Sequence, residues 1–357
     1  MLFIRVKVWS SVPEDMAEKP IVICTRGSAL ALAQSNLILA QCRAAFPRLQ
    51  FELKIIKTTG DKLQTASLAQ ESQALPKGLF TKELEVALLN HQADLAVHSL
   101  KDLPTELPAG LKLGAVGKRE DVRDVLLFRD ADFLTRVPAA DIKGRRGFNP
   151  QTRLREFPAG AVVATSSTRR KAQLLVAHPQ LQIVDIRGNV ATRMQKLMAK
   201  PELDATVLAL AGLTRLNFKI TPDGTIHGHA SAKPGDDVPE GLLATVLPVE
   251  EMLPCVGQGA IGLEIRTEDK RIAEICAALN DFPTFQCVTA ERTFLAAMGG
   301  GCQSPVGAYA ELDGANLRLR AVSFLHETVR RAEAKRPVAE AAELGRQIAA
   351  ELLGKTG

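Results

Sequence analysis

Short apolar runs recur along the chain, and most are followed by a polar turn and then a helical pattern. Ile21-Val22-Ile23-Cys24-Thr25 leads into Arg26-Gly27-Ser28, where Ser28 is placed to cap a helix reaching about Phe46. Runs at 53–57, 94–98, 125–128, 161–164, 181–186, 205–210 and 261–265 read as further strands. Apolar spacing predicts helices over 80–91, 266–280 and 281–298, and a last one to about Leu353. Two or three strands fall between Val306 and Val329. Strands alternating with helices specify an α/β chain with largely parallel sheets. At 357 residues there is room for two or three domains.

The remaining segments read as loops. Residues 1–19 form an N-terminal extension whose apolar positions are interrupted by charges, unlike a signal-peptide core. Segment 63–76 is polar and irregular, 139–159 is basic, and 221–239 is a Gly, Pro, Asp and His-rich insertion.

Composition excludes several classes of function. A net charge of +5 with one Trp and one Tyr gives no aromatic platform for nucleic acid. No apolar run is long enough to span a membrane. Six scattered cysteines without a CxxC pair or zinc-like spacing fit free thiols in a reducing cytoplasm, with no metal site. Gly257-Gln258-Gly259-Ala260-Ile261-Gly262 matches a dinucleotide fingerprint but precedes a strand, so it reads as a hinge. His227 and His229 fall in the insertion, at the surface.

Three constellations carry chemistry. Cys302 follows Gly299-Gly300-Gly301, which leaves room beside the thiol for covalent attachment. Asp102 ends Ser99-Leu100-Lys101-Asp102 at a strand's carboxyl end, where open α/β sheets bind ligands. There it can protonate a leaving amine and stabilise positive charge, beside Lys101 as an anion partner. Basic and hydroxyl residues recur at strand-to-helix turns: Arg26 with Ser28; Thr165, Ser166, Ser167, Arg169 and Arg170; Arg187, Gly188 and Arg193; and Arg215. Helix N-termini and arginine forks suit carboxylates or phosphates, so the ligand carries many of them. Lys77 makes a further basic turn before Phe80, whose ring can stack on a flat ligand.

These residues fall in stretches that resemble porphobilinogen deaminase. The matching stretches are Thr25-Arg26-Gly27-Ser28-Ala29-Leu30-Ala31, Lys77-Gly78-Leu79-Phe80-Thr81-Lys82-Glu83-Leu84, Ala96-Val97-His98-Ser99-Leu100-Lys101-Asp102-Leu103-Pro104, Thr165-Ser166-Ser167-Thr168-Arg169-Arg170, Arg187-Gly188-Asn189-Val190-Ala191-Thr192-Arg193, Val256-Gly257-Gln258-Gly259-Ala260 and Gly300-Gly301-Cys302-Gln303. Gly27 and Ala29 stand where the family usually has Gln and Pro.

The resemblance implies an enzyme that condenses four porphobilinogen molecules head to tail, with loss of ammonia, into the linear hydroxymethylbilane. It implies a dipyrromethane cofactor held as a thioether on Cys302, and Asp102 as the acid. Arg26, Ser28, Lys77, Phe80, Ser99, Lys101, Thr165, Ser166, Ser167, Arg169, Arg170, Arg187, Gly188, Arg193 and Arg215 would bind cofactor or substrate. The implied fold is α/β with three domains. The first two, 20–117 with 258–279 and 121–256, resemble a two-lobed type II periplasmic-binding-protein fold. The third, 281–357, is a small α+β domain with a three-stranded sheet bearing the cysteine loop. A cytoplasmic monomer is expected. The rival is a two-lobed polyanion-binding protein without catalysis. The denatured intact mass is predicted to exceed that of the bare chain by two pyrrole units. Cys302→Ser should lose the excess, and an unmodified mass in cofactor-loaded wild type would contradict the tether.

Overall fold

The computed structural model describes residues 19–60, 80–138, 144–228, 237–301, 304–326 and 328–354. The first lobe contains β1 (Ile21–Arg26), β2 (Phe51–Ile56), β3 (Leu95–Ser99) and β4 (Leu111–Val116). The second contains β5 (Asp124–Arg129), β6 (Val162–Ala164), β7 (Gln182–Val184), β8 (Ala205–Ala209), a small hairpin of β9 (Lys219–Ile220) and β10 (Ile226–His227), and β11 (Leu242–Val246). The chain then returns to the first lobe as β12 (Ile261–Arg266), and ends with β13 (Val306–Asp313), β14 (Asn316–Ser323) and β15 (Arg330–Pro337).

The two large sheets share one strand order. The first runs β2-β1-β3-β12-β4 and the second, read from its far edge, β7-β6-β8-β5-β11. In each, the first three strands are parallel, and the fourth is a strand that has just crossed from the other lobe. This reciprocal exchange is the two-lobed type II periplasmic-binding-protein pattern that the sequence implied.

The sheets are not largely parallel, however. β12 runs antiparallel to both β3 and β4, and β5 to both β8 and β11. The crossing strand enters from the opposite end, so its direction is reversed. Strands β4 and β11 were also absent from the sequence reading. β15 lies beyond Val329, outside the window expected for the last strands. Its inward positions Ala332 and Ala334 are small, and its other residues are charged or proline, so its hydrophobic alternation is weak.

Burial follows strand alternation. Ile21, Ile23, Leu95, Val97, Leu263 and Ile265 share one core with the helix Ala29–Ala45 and the helix Lys270–Leu279. Cys24 and Ala96 face the other side, beneath the helix Lys82–Leu89. The third unit packs helices Phe282–Ala297 and Ala341–Leu353 on the sheet β13-β14-β15 around Phe294, Leu317, Leu319, Leu344 and Ile348. Gly345 permits the helices to approach closely, since a Cβ there would lie 2.8 Å from the Phe294 nitrogen.

Asp124, at the start of β5, organises the second lobe. It is fully buried and accepts from Arg169 Nη1 at 2.7 Å, Arg170 Nη2 at 2.8 Å and Gln258 Nε2 at 2.8 Å. Burial would raise its pKa, but the two guanidinium groups hold it well below the usual carboxylate range. Removing one partner of such a cluster strands buried charge, so Asp124→Asn is expected to cost about 3–5 kcal/mol in urea unfolding. The depressed folded pKa makes this contribution fully present above the unfolded value of about 3.9. It is lost as pH falls toward the folded value, so the variant's deficit should shrink only in acid. A deficit near zero at pH 7 would contradict the hub.

Candidate active site

The first lobe's contribution collects at the carboxyl ends of β1 and β3. Arg26 ends β1, and Ser28 caps the following helix by accepting from the Ala31 nitrogen at 3.3 Å. The guanidinium of Arg26 lies 4.2 Å from the centre of the Phe80 ring. β3 ends at Ser99 and passes into one tight turn, Leu100–Asp102. Ser99 Oγ accepts from Gln34 Nε2 at 2.8 Å and donates to Gln34 Oε1 at 3.0 Å. Arg26, Ser28, Gln34, His98, Ser99 and Asp102 line one pocket, and Asp102 is exposed in it. Burial lowers the pKa of Lys101, with Asp102 opposing the shift.

The second lobe supplies the arginines from three successive strand ends. After β6, Thr165 is buried and its Oγ1 accepts from the Ser167 nitrogen. Ser167 caps the helix Thr168–Ala177, and Ser166 Oγ donates to the Ile186 carbonyl at 2.9 Å. After β7, Gly188 adopts φ +123°, where a Cβ would collide with Thr192. Asn189 caps the helix Val190–Ala199, Arg187 is exposed, and Arg193 Nε donates to the Gly188 carbonyl at 2.8 Å. After β8, Arg215 Nη2 donates to the Gly259 carbonyl at 2.6 Å.

Arg193 and Arg215 have pKa values lowered to about 10, mainly by burial, and stay charged at neutral pH. Arg170 adds to the lowering at Arg193, while Asp102 opposes it from the other lobe. Asp102 of the first lobe and Arg193 of the second are therefore close enough to interact. The lobes approach each other at Leu30 and Gly212, where a Cβ on Gly212 would lie 4.0 Å from Leu30 Cδ2.

The predicted residues divide by burial. Arg26, Ser28, Phe80, Ser99, Lys101, Asp102, Arg187 and Arg193 have exposed or half-buried side chains. Arg169 and Arg170 are turned inward to Asp124, with further bonds to the carbonyls of Leu253 and Val207. Cys302 and Lys77 lie outside the described residues, as do His229, residues 1–18 and segment 63–76. The loop ahead of Cys302 has Gly299 at φ +66° and the Gly301 nitrogen donating to Ser304 Oγ at 3.0 Å.

Sequence reasoning missed Gln34, Asp124 and the buried pair His98–Glu264, 2.9 Å apart. A signal existed for two of them. Asp124 opens an apolar strand and Glu264 interrupts Ile-Gly-Leu-Glu-Ile, and a charge in such a place needs a partner.

The cleft is lined by guanidinium and hydroxyl groups. The family model for the porphobilinogen deaminase dipyromethane cofactor binding domain matches residues 21–274, and that for the porphobilinogen deaminase C-terminal domain matches 285–354. The porphobilinogen deaminase of Desulforudis audaxviator is 42% identical over 340 residues, covering 94% of each chain. That of Thermus thermophilus is 41% identical over 341 residues, covering 94% of this chain and 96% of its own. Solved structures give distant likenesses, such as the BenM effector binding domain with benzoate, at TM-score 0.37 and 15% identity over 74% of this chain and 91% of that one. With two family models together spanning 21–274 and 285–354, and relatives at this identity covered along nearly their whole length, the chain belongs to the porphobilinogen deaminase family, enzymes of tetrapyrrole biosynthesis that polymerise porphobilinogen with a dipyrromethane cofactor.

Proposed function

We propose that Asp102 is the acid of this polymerisation and that Cys302 carries the cofactor through a thioether. The observation that supports the first assignment is the shared pocket of Asp102, Arg26, Ser28 and Ser99, with Arg193 opposite. Dipyrromethane has two rings and so four carboxylates, which suits a cleft furnished with Arg26, Lys101, Arg187, Arg193 and Arg215. When bound, it supplies the pyrrole carbon on which the chain grows.

The protein's residues do the rest. Asp102 Oδ gives a proton to the aminomethyl nitrogen of the incoming porphobilinogen, so that ammonia leaves. The resulting carboxylate stands against the positive charge left on that unit. It then takes back the proton released when the new carbon–carbon bond forms. Arg26, Lys101, Arg187, Arg193 and Arg215 hold acetate and propionate groups, with Ser28, Ser99, Thr165, Ser166 and Ser167 as hydrogen-bonding partners. Lys77 adds a further cation, Gly188 brings backbone close to the ligand, and Phe80 keeps Arg26 in place by stacking. Arg169 and Arg170 act as a fixed positive wall, since Asp124 holds them.

The three parts of the chain divide the work. Residues 20–117 with 258–279 bring the acid, 121–256 bring the arginines, and 281–357 bring the cysteine. The enzyme acts as a cytoplasmic monomer with no nucleic-acid partner. Free cysteines among the described residues support a reducing compartment. No helix of the described residues is long and apolar enough to cross a membrane.

Asp102→Ala should cut kcat at least about a hundredfold while leaving the cofactor mass in place. Undiminished turnover would remove Asp102 from the chemistry. Arg193→Met should raise KM about tenfold or more, the worth of one charge-assisted carboxylate contact. An unchanged KM would remove Arg193 from the binding set.

A further inference from the structure

A buried imidazole–carboxylate pair lies directly behind the acid. His98 Nε2 is 2.9 Å from Glu264 Oε2, with side chains 3% and 0% exposed. The two sit on adjacent antiparallel strands, β3 and β12, where Gly262 pairs with His98 and Glu264 with Ala96. Their neighbours Leu95, Val97, Leu263 and Ile265 fill the core on the opposite face. His98 and Glu264 therefore share the face beneath the helix Lys82–Leu89, together with Cys24 and Glu85. Full burial of a carboxylate costs several kcal/mol, and a well-packed aliphatic residue usually serves a sheet at least as well. Packing therefore gives no reason for this pair.

Its place gives one. His98 also lines the pocket in which Asp102 stands, four residues further on. The strand end before Asp102 is tied in three directions. His98 bonds to Glu264 on one face. Ser99 bonds to Gln34 on the other. In the plane of the sheet, the Leu100 nitrogen donates to the Ala260 carbonyl at 3.0 Å. Beyond the turn, Arg292 donates to the carbonyls of Leu103 and Pro104.

We propose that His98, anchored on Glu264, is a positioning residue for the polymerisation: it fixes the end of β3 so that Asp102 meets the leaving amine. This rests on the reading of Asp102 as the acid. The contact between His98 Nε2 and Glu264 holds the imidazole rigidly at the end of β3. Misplacing a reacting group by about 1 Å can cost about a hundredfold in rate.

The test uses the holoenzyme, with cofactor loading read by intact mass and kcat expressed per loaded site. His98→Ala should lower that kcat by about ten- to a hundredfold and change KM less than about threefold. His98→Gln has an amide long enough to donate to Glu264 and should recover most of the loss, whereas the shorter His98→Asn should not. A purely structural role would lower the thermal midpoint and the loaded fraction without moving kcat per loaded site. That result, or equal kcat for the Gln and Asn variants, would overturn the proposal. If His98→Ala does not fold, the Gln and Asn pair decides. Asp102→Ala separates the two levels of inference. Wild-type turnover in it would overturn the acid assignment and this proposal together. A large loss there, with His98 variants unaffected, would overturn this proposal alone.

Discussion

Glu291 lies fully buried on the helix Phe282–Ala297, and its two oxygens take four donors. Arg119 binds both oxygens, at 2.7 and 3.0 Å, from the segment that leaves the first lobe. The Gly257 nitrogen donates at 2.8 Å from the segment that returns to it, and the Ala310 nitrogen at 2.8 Å from the third unit's sheet. Arg119 Nε also donates to the Gln258 carbonyl. A buried carboxylate is tolerable when its lone pairs are filled in this way, and removing one partner leaves charge in an apolar place. Both crossings between the lobes therefore meet on this one residue of the third unit. Gly259 shows how tight the crossing is: it sits at φ +83°, and a Cβ there would lie 2.5 Å from the Glu120 carbonyl.

The junction bears on the cleft because its members reach into both walls. Arg292 follows Glu291 on the same helix and ties down the chain just past Asp102. Arg215 from the second lobe binds the Gly259 carbonyl within the crossing segment. Gln258, between the two glycines, reaches Asp124 and the Val122 carbonyl. The turn that bears Asp102, the arginine helices and the crossing segments are therefore set by one connected group of buried polar contacts.

How much of this the sequence disclosed depends on distance along the chain. Local features were legible. Ser28 and Ser167 cap the helices that follow them, and Asp102 and the arginines fall at strand ends because that is where the hydrophobic period changes. Arg119 and Glu291 are 172 residues apart, and His98 and Glu264 are 166 apart. No periodicity links such residues, although each carboxylate announced itself as a charge on an otherwise apolar face. The antiparallel placement of β12 and β5 is likewise non-local, since it follows from which lobe the chain is leaving. The alanines of β15 gave too weak an alternation to mark a strand.

Burial also separates roles that residue type alone had merged. Two guanidinium groups, Arg169 and Arg170, meet one carboxylate, Asp124, so this part of the wall remains positive after pairing. Arg170 lowers the pKa of both Arg193 and Lys101, which places that positive charge beside the cleft. Arg193 and Arg215 remain protonated far above neutral pH despite their burial. Their side chains are already held, by the carbonyls of Gly188 and Gly259. A polycarboxylate entering such a cleft meets donors fixed in advance and needs little reorganisation of them, which is the condition under which electrostatic binding is most effective.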